Sequence, residues 1–350
     1  MRSFANKQQG LALITVLFIF ALVSLLAISM QTRQKMSMAQ ASASINLTQA
    51  QLLALSVEDI AKAGLIFDAN RDKNDGEWDT SAEQWNQLPP LNEAGAIIEI
   101  SIRDLQGLFN LNSLSPKPIG ADPDAAQKRF KNLLDEVGVS SVNTSTSTIA
   151  AQVKDWLNPA SSASSTYQNS EPPYSASGFA FSHPSELMLI EGLDKENYIK
   201  IEPYITALPA TTPLNINTTD PKILASWDTA LTLDEAKPIV NKTHPGSCGP
   251  SVRNANVFEN TDDLWAESAL AAPIKASGNQ GAGGTWEKAD FDVKTQYFSI
   301  LIKVQVNEQE IILESIVKRD MDATNGFVGV VYRDFSRKPS DIDRLKINKC

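Results

Sequence analysis

The side chains best suited to chemistry lie in DANRDKNDGEWD, Asp68 to Asp79. Asp68, Asn70, Asp72 and Asn74 alternate and lead into Asp75-Gly76, an oxygen-rich run of the sort Ca²⁺ draws on when it gathers about six to eight oxygens. Lys73 stands where an EF-hand loop needs its turn glycine, so that pattern fails. A solvated loop ending a helix would use the same residues, and both readings stay open. The two histidines, His183 and His244, each precede a proline and have no second ligand at metal-binding spacing, which argues against zinc. No G-x-S-x-G, P-loop or G-x-G-x-x-G pattern occurs, and scattered carboxylates without geometry define no acid/base pair. The chain therefore reads as a non-enzyme. Cys248 and Cys350 are its only cysteines. In an oxidising compartment they permit one disulfide tying the C-terminus to the middle of the chain.

Upstream runs MRSFANKQQGLALITVLFIFALVSLLAISM, with 20 uncharged positions from Leu11 to Met30. As a helix that stretch is about 30 Å long, enough to cross a bilayer core. A secretory signal would have a shorter apolar core beside a small-residue cleavage site. Here the A-x-A-like candidates, around Ala39 to Ala43, lie beyond Arg33 and Lys35. Neither Pro nor Gly follows until Gly64, and Leu52, Leu55, Ile60 and Ala63 share much of one side, so one helix is expected from about Leu11 to Ala63. The 350 residues carry a net charge of −10, yet no Asp or Glu occurs before Glu58. The acidic part is thus downstream, which argues against phosphate-backbone binding there. Basic residues flank the span on both sides (Arg2 and Lys7, Arg33 and Lys35), so charge alone does not set its orientation. The length exceeds one typical domain.

Gly10 at the polar-to-apolar junction, followed by LALITVL, resembles the type III signal of prepilins. The resemblance implies cutting between Gly10 and Leu11 by a prepilin peptidase, with methylation of the new terminus. Most prepilins carry a glutamate at the fifth position after the cut, where it is thought to pair with a neighbouring subunit's terminal amine. Thr15 occupies that position here, which resembles the K-type minor pseudopilins of type II secretion (the GspK family) and implies a place at the filament tip. After WNQLPPLNEAG, the stretch IIEISIRDLQGLFNLNSL reads by alternation as a strand, a turn at Gln106-Gly107 and a second short strand. Its Ile102, Asp104, Leu105, Gln106, Gly107, Phe109, Asn110, Leu111 and Asn112 match the family's I-x-D-L-Q-G-x-F-N-L-N.

From Pro116 to about Gly284 short helical runs are split by Pro, Ser and Asn. SELMLIEGL and LNINTTDPKILASW echo the family's S-E-L-x-L-x-x-G and I-N-x-N-T, and both look like helix-hairpin-helix units. Twelve Lys+Arg against nineteen Asp+Glu between Pro116 and Thr285 argue against a nucleic-acid role for them and favour a scaffold. DWLNPASSASSTYQNSEPPY resembles the family's calcium-associated D-W-x-D-x-D segment. It keeps Asp155, Trp156 and Glu171-Pro172-Pro173-Tyr174 but has Asn158 and Ala160 in place of carboxylates. Fewer charged oxygens weaken Ca²⁺ binding, so calcium is only a candidate cofactor and a Ser-rich surface loop is preferred. SGNQGAGG reads as a linker. TQYFSILIKVQVNEQEIILESIVKRD reads as a hairpin turning at Val306-Asn307-Glu308, and FVGVVYRDF as a final strand.

The fold expected is α+β. A pilin-like N-terminal helix packs on an antiparallel sheet, and a large all-α (helix-hairpin-helix or SAM-like) domain is inserted into the head. Expected limits are a leader at 1–10, the helix at 11–64 (span 11–30), the head at 65–115 and 285–335, the insert at 116–284 and a tail at 336–350. The resemblance implies an inner-membrane protein with its head in the periplasm. Implied partners are the I, J and H minor pseudopilins, the major pseudopilin, the prepilin peptidase and the assembly platform, with no nucleic acid. The implied function is a tip complex that initiates and limits the pseudopilus exporting folded proteins. Alternatives are a type IV or DNA-uptake minor pilin and a membrane-anchored periplasmic enzyme.

Overall fold

The computed structural model describes residues 9–75, 78–86, 91–93, 95–117, 119, 122–141, 144–160, 167–169, 171–243, 257–270, 286–320 and 326–335. Helix α1 spans Gln9–Asp75 and has two unlike halves. From Leu11 to Gln49 it is almost wholly exposed. From Ala50 onward one stripe is buried: Ala50, Ala54, Val57, Ala61, Leu65 and Ala69. These positions recur at helical spacing and are mostly alanines, so the backbone lies close against the sheet.

That sheet has the order β1-β2-β7-β8-β9, antiparallel throughout. Its strands are β1 (Leu91–Glu93), β2 (Ala96–Asp104), β7 (Tyr297–Val306), β8 (Gln309–Asp320) and β9 (Phe327–Asp334). Ile98, Ile102, Phe298, Ile300, Ile302, Val304, Leu313 and Val317 meet the alanine stripe in one core. Each such apolar side chain contributes about 1.5–3 kcal/mol on burial. Strand β7 is buried on both faces over Tyr297–Ile302, because α1 covers one face and the inserted lobe the other. The β7–β8 hairpin turns at Asn307, whose φ of 54° suits asparagine.

Between β2 and β7 the chain builds the lobe. Its main helices are α2 (Pro123–Glu136), α3 (Thr146–Trp156), α4 (Lys195–Ile201), α5 (Pro221–Ser226), α6 (Leu233–Thr243) and α7 (Thr261–Trp265). Asp122, Ser145, Asp194, Asp220 and Asn260 cap five of them. The lobe also holds two parallel two-residue pairings, β3 (Phe109–Asn110) with β4 (Ile205–Thr206) and β5 (Leu214–Asn215) with β6 (Phe291–Asp292). Its core runs from Leu105 to Tyr297, wider than the 116–284 expected.

Two expectations are corrected. Helix α1 continues past Gly64 to Asp75, since a glycine costs a helix only about 1 kcal/mol and nothing else interrupts it. The run from Asp68 to Asp75 is therefore helical rather than a loop, and Asp68 and Asn70, two positions apart, lie on different sides of it. The second short strand expected after Gln106-Gly107 is β3, which pairs with β4 inside the lobe.

Candidate functional site

The motif Asp104–Asn112 is the seam between head and lobe. Asp104 ends β2, and its carboxylate, 5% exposed, accepts from the hydroxyls of Thr218 and Thr295 and from Asn215 Nδ2 at 2.9 Å. Its second oxygen accepts from Gln106 N at 2.6 Å. Burial pushes its pKa up to about 6, against the lowering effect of the threonine hydroxyls. Gln106 donates to the carbonyls of Pro213 and Lys294 and accepts from Gln296 N, bridging lobe and return strand. Gly107 lies so near Thr218 that a Cβ would sit 2.6 Å from its hydroxyl and 2.7 Å from its carbonyl oxygen.

The asparagines act as surrogate backbone. Asn110 accepts from Leu208 N at 3.1 Å and donates to Pro209 O at 2.8 Å. Asn112 accepts from Phe181 N at 2.7 Å and donates to the carbonyls of Phe181 and Leu208. Asn217 accepts from and donates to Phe258 in the same way. Buried amides placed so bind segments that no strand could reach. The echo SELMLIEGL has its own reason. Glu186 closes a capping box with His183, and Gly192 has φ +90° with Thr144 where a Cβ would stand.

Two ion-pair sites fasten α1 to the sheet. The Glu58 carboxylate, fully buried, receives Arg333 of β9 through Nε at 3.0 Å and Nη2 at 2.7 Å. Arg319 of β8, also fully buried, pairs with Asp68 at 3.4 Å and with Asp79, and donates to Thr295 O at 2.9 Å. Asp68, Asp79 and Glu83 form the carboxylate cluster compact enough for a metal among the described residues. The guanidinium of Arg319 already supplies the positive charge there.

Gly10 lies within α1, Leu11 is 72% exposed, and the Thr15 hydroxyl donates to Leu11 O and Ala12 O of its own helix. Asp155 and Glu171 are exposed and do not join a carboxylate cluster among the described residues. Trp156, Tyr167 and Tyr174 pack together in that region instead, and Asn158 closes a local turn on Ala160 N. Cys248, Cys350, His244, the 277–284 linker and the 336–350 tail lie outside the described residues. A cleft of about 270 Å³ opens beside Gln106 and Asn110. In its wall Arg129 reaches Asp290 at 2.7 Å and lies 4.5 Å over Trp227.

Comparison with known proteins follows this seam. A family model described as type II secretion system (T2SS), protein K, matches residues 107–210, beginning at Gly107. Type II secretion system protein K of Pseudomonas aeruginosa is 28% identical over 341 residues, covering 94% of this chain and 93% of the relative. The Aeromonas hydrophila protein is 26% identical over 336 residues, covering 91% of this chain and 95% of the relative. The fold matches a chain of the crystallised GspK-GspI-GspJ complex from enterotoxigenic Escherichia coli, with a TM-score of 0.66 at 20% identity, covering 85% of this chain and 100% of that one.

The chain belongs to the type II secretion system protein K family. It is a minor pseudopilin whose α+β fold is that of the crystallised GspK complex chain. Within the protein K frame, Asp104, Gln106, Gly107, Asn110 and Asn112 were legible as a motif, but their partners were not. Thr295 and Arg319 gave no sequence signal, being single polar residues in otherwise ordinary stretches, and Asp79 stood out only as the end of the acidic run from Asp68.

Proposed function

We propose that this pseudopilin caps the tip of the type II secretion pseudopilus, in a complex with I-, J- and H-type minor pseudopilins. The observation that carries the reading is the division of α1. Leu11 to Met30 is uncharged and exposed, a surface that only lipid or other helices can cover, while Ala50 to Ala69 is spent on the head. The GspK-GspI-GspJ complex of the structural neighbour supports partners of that class. Thr15 supports the tip position. Its hydroxyl is engaged by its own helix and offers no carboxylate to a neighbour's amine. The span lies in the inner membrane with the head in the periplasm, and a prepilin peptidase cuts between Gly10 and Leu11. Assembly then rests on the platform and the major pseudopilin, and the lobe limits growth beyond the tip.

N-terminal sequencing of the protein from cells with and without prepilin peptidase tests the first step. Leu11 is expected as the mature terminus only when the peptidase is present, and Met1 in both would overturn the reading. Co-purification with I- and J-type subunits tests the second.

A further inference from the structure

We infer that Arg33 and Lys35 form a binding site for anionic phospholipid headgroups in the leaflet facing the head, an inference that rests on the membrane-spanning reading above. Both side chains are exposed on α1, and neither has a hydrogen-bond or ion-pair partner among the described residues. They follow the last residue of the apolar span, Met30, by three and five positions, about 4.5 and 7.5 Å along the helix axis. A headgroup layer is about 5–8 Å deep on each side of a bilayer core, so the guanidinium of Arg33 and the ammonium of Lys35 both stand in it. Two residues apart on a helix, they point to opposite sides and engage different lipids.

Charge elsewhere in the chain isolates this pair. No acidic residue precedes Glu58, and Glu58 is buried against Arg333. From Lys35 to Glu58 is about 35 Å of helix, several times the ~8 Å over which charges are felt at physiological salt. The head carries the acidic excess and is repelled by an anionic surface, whereas Arg33 and Lys35 are drawn to it. The exposed helix from Gln31 to Gln49 keeps the two apart. Placing two basic residues on the translocated side also works against the usual charge bias of membrane insertion, a cost that headgroup binding offsets. The pair thereby fixes how deeply the span sits.

The test uses the full chain in vesicles of mixed phosphatidylglycerol and phosphatidylcholine, reading which spin-labelled lipid the protein retains at its surface. Arg2 and Lys7 are replaced in every sample (R2Q/K7Q), so only the far flank can select. The scale is about fivefold per basic residue at an anionic surface. A several-fold preference for phosphatidylglycerol is expected, falling to parity in R33Q/K35Q. Inorganic phosphate should reduce the preference no more than chloride of equal ionic strength. Stronger competition would assign the site to free phosphate and overturn the lipid source. A preference that survives R33Q/K35Q, or none before it, overturns the inference while leaving the span intact. Release of the chain from vesicles by alkaline carbonate would bring down the spanning reading and this one together.

Discussion

Asp104 is a buried carboxylate held by donors rather than by a cation. Thr218, Thr295, Asn215 and the Gln106 amide surround it, and burial lifts its pKa to about 6 from 3.8. Because the folded state binds this proton more tightly than the unfolded chain, Asp104 adds stability as pH falls from about 6 toward 4 and withdraws it as pH rises through that window. The amount is on the order of 3 kcal/mol. Asp104→Ala takes the acceptor from the Thr218 and Thr295 hydroxyls, while Asn215 keeps Asp79 O and Thr295 Oγ1. It is expected to cost about 2–4 kcal/mol at pH 7. Asp104→Asn keeps the volume and removes the proton linkage. Urea unfolding of the full chain in detergent should show wild type gaining on Asp104→Asn between pH 7 and pH 4.5, and parallel profiles would refute the assignment. The sequence made Asp104 visible as one letter of a motif. It could not make Thr218 and Thr295 visible, since hydrogen bonds across separations of 114 and 191 residues leave no local period.

At the scale of elements, local rules held where the element was long and failed where it was short or met another element. Helix α1 was legible from its long run without Pro or Gly and the β7–β8 hairpin from its alternation, whereas three-residue β1 carries too few positions for a pattern. The face of α1 read as packed was the wrong one, since Leu52 and Ile60 are exposed and the alanine stripe is buried instead. The helix outran its expected end because Gly64, with nothing within 4 Å of a Cβ there, is merely tolerated. Gly107 is different, since Thr218 occupies the space. Gly107→Ala should separate the β2 end from the lobe, costing about 1–3 kcal/mol and increasing protease cutting near residue 107. Glu58 and Arg333 give an asymmetric pair. The Arg333 side chain is 44% exposed and can turn to water when Glu58→Ala removes its partner, whereas Arg333→Ala strands a fully buried carboxylate. Arg333→Ala is therefore expected to be the more damaging, by about 1–2 kcal/mol, read as the difference in urea midpoints. Equal losses would place the energy in packing rather than charge.

The whole molecule is two cores joined at one seam. The head core contains α1 and the five-stranded sheet, and the lobe core begins at Leu105 and closes at Tyr297. Both ends of the lobe leave the same place, for Leu105 N donates to Tyr297 O at 3.0 Å and Asp104 pairs antiparallel with Phe298. Two strands so placed can be joined by a short hairpin loop, and inserting Asn-Gly before Thr295 leaves five residues between the paired Asp104 and Phe298. Replacing Leu105–Lys294 with Asn-Gly is thus expected to leave β2 and β7 paired and Thr295 available to Arg319 and Asp104. The head should fold and stay in alkaline-washed membranes, although the lobe-facing side of β7 becomes exposed and stability falls. If the lobe blocks addition beyond the tip, cells making only this shortened subunit should form pseudopili of uncontrolled length by electron microscopy. Normal lengths, with the shortened head folded and membrane-bound, would assign the lobe to contacts within the tip complex instead of to growth control. A head that fails to fold would show that the seam residues stabilise both cores, which urea unfolding of Asp104→Ala measures independently.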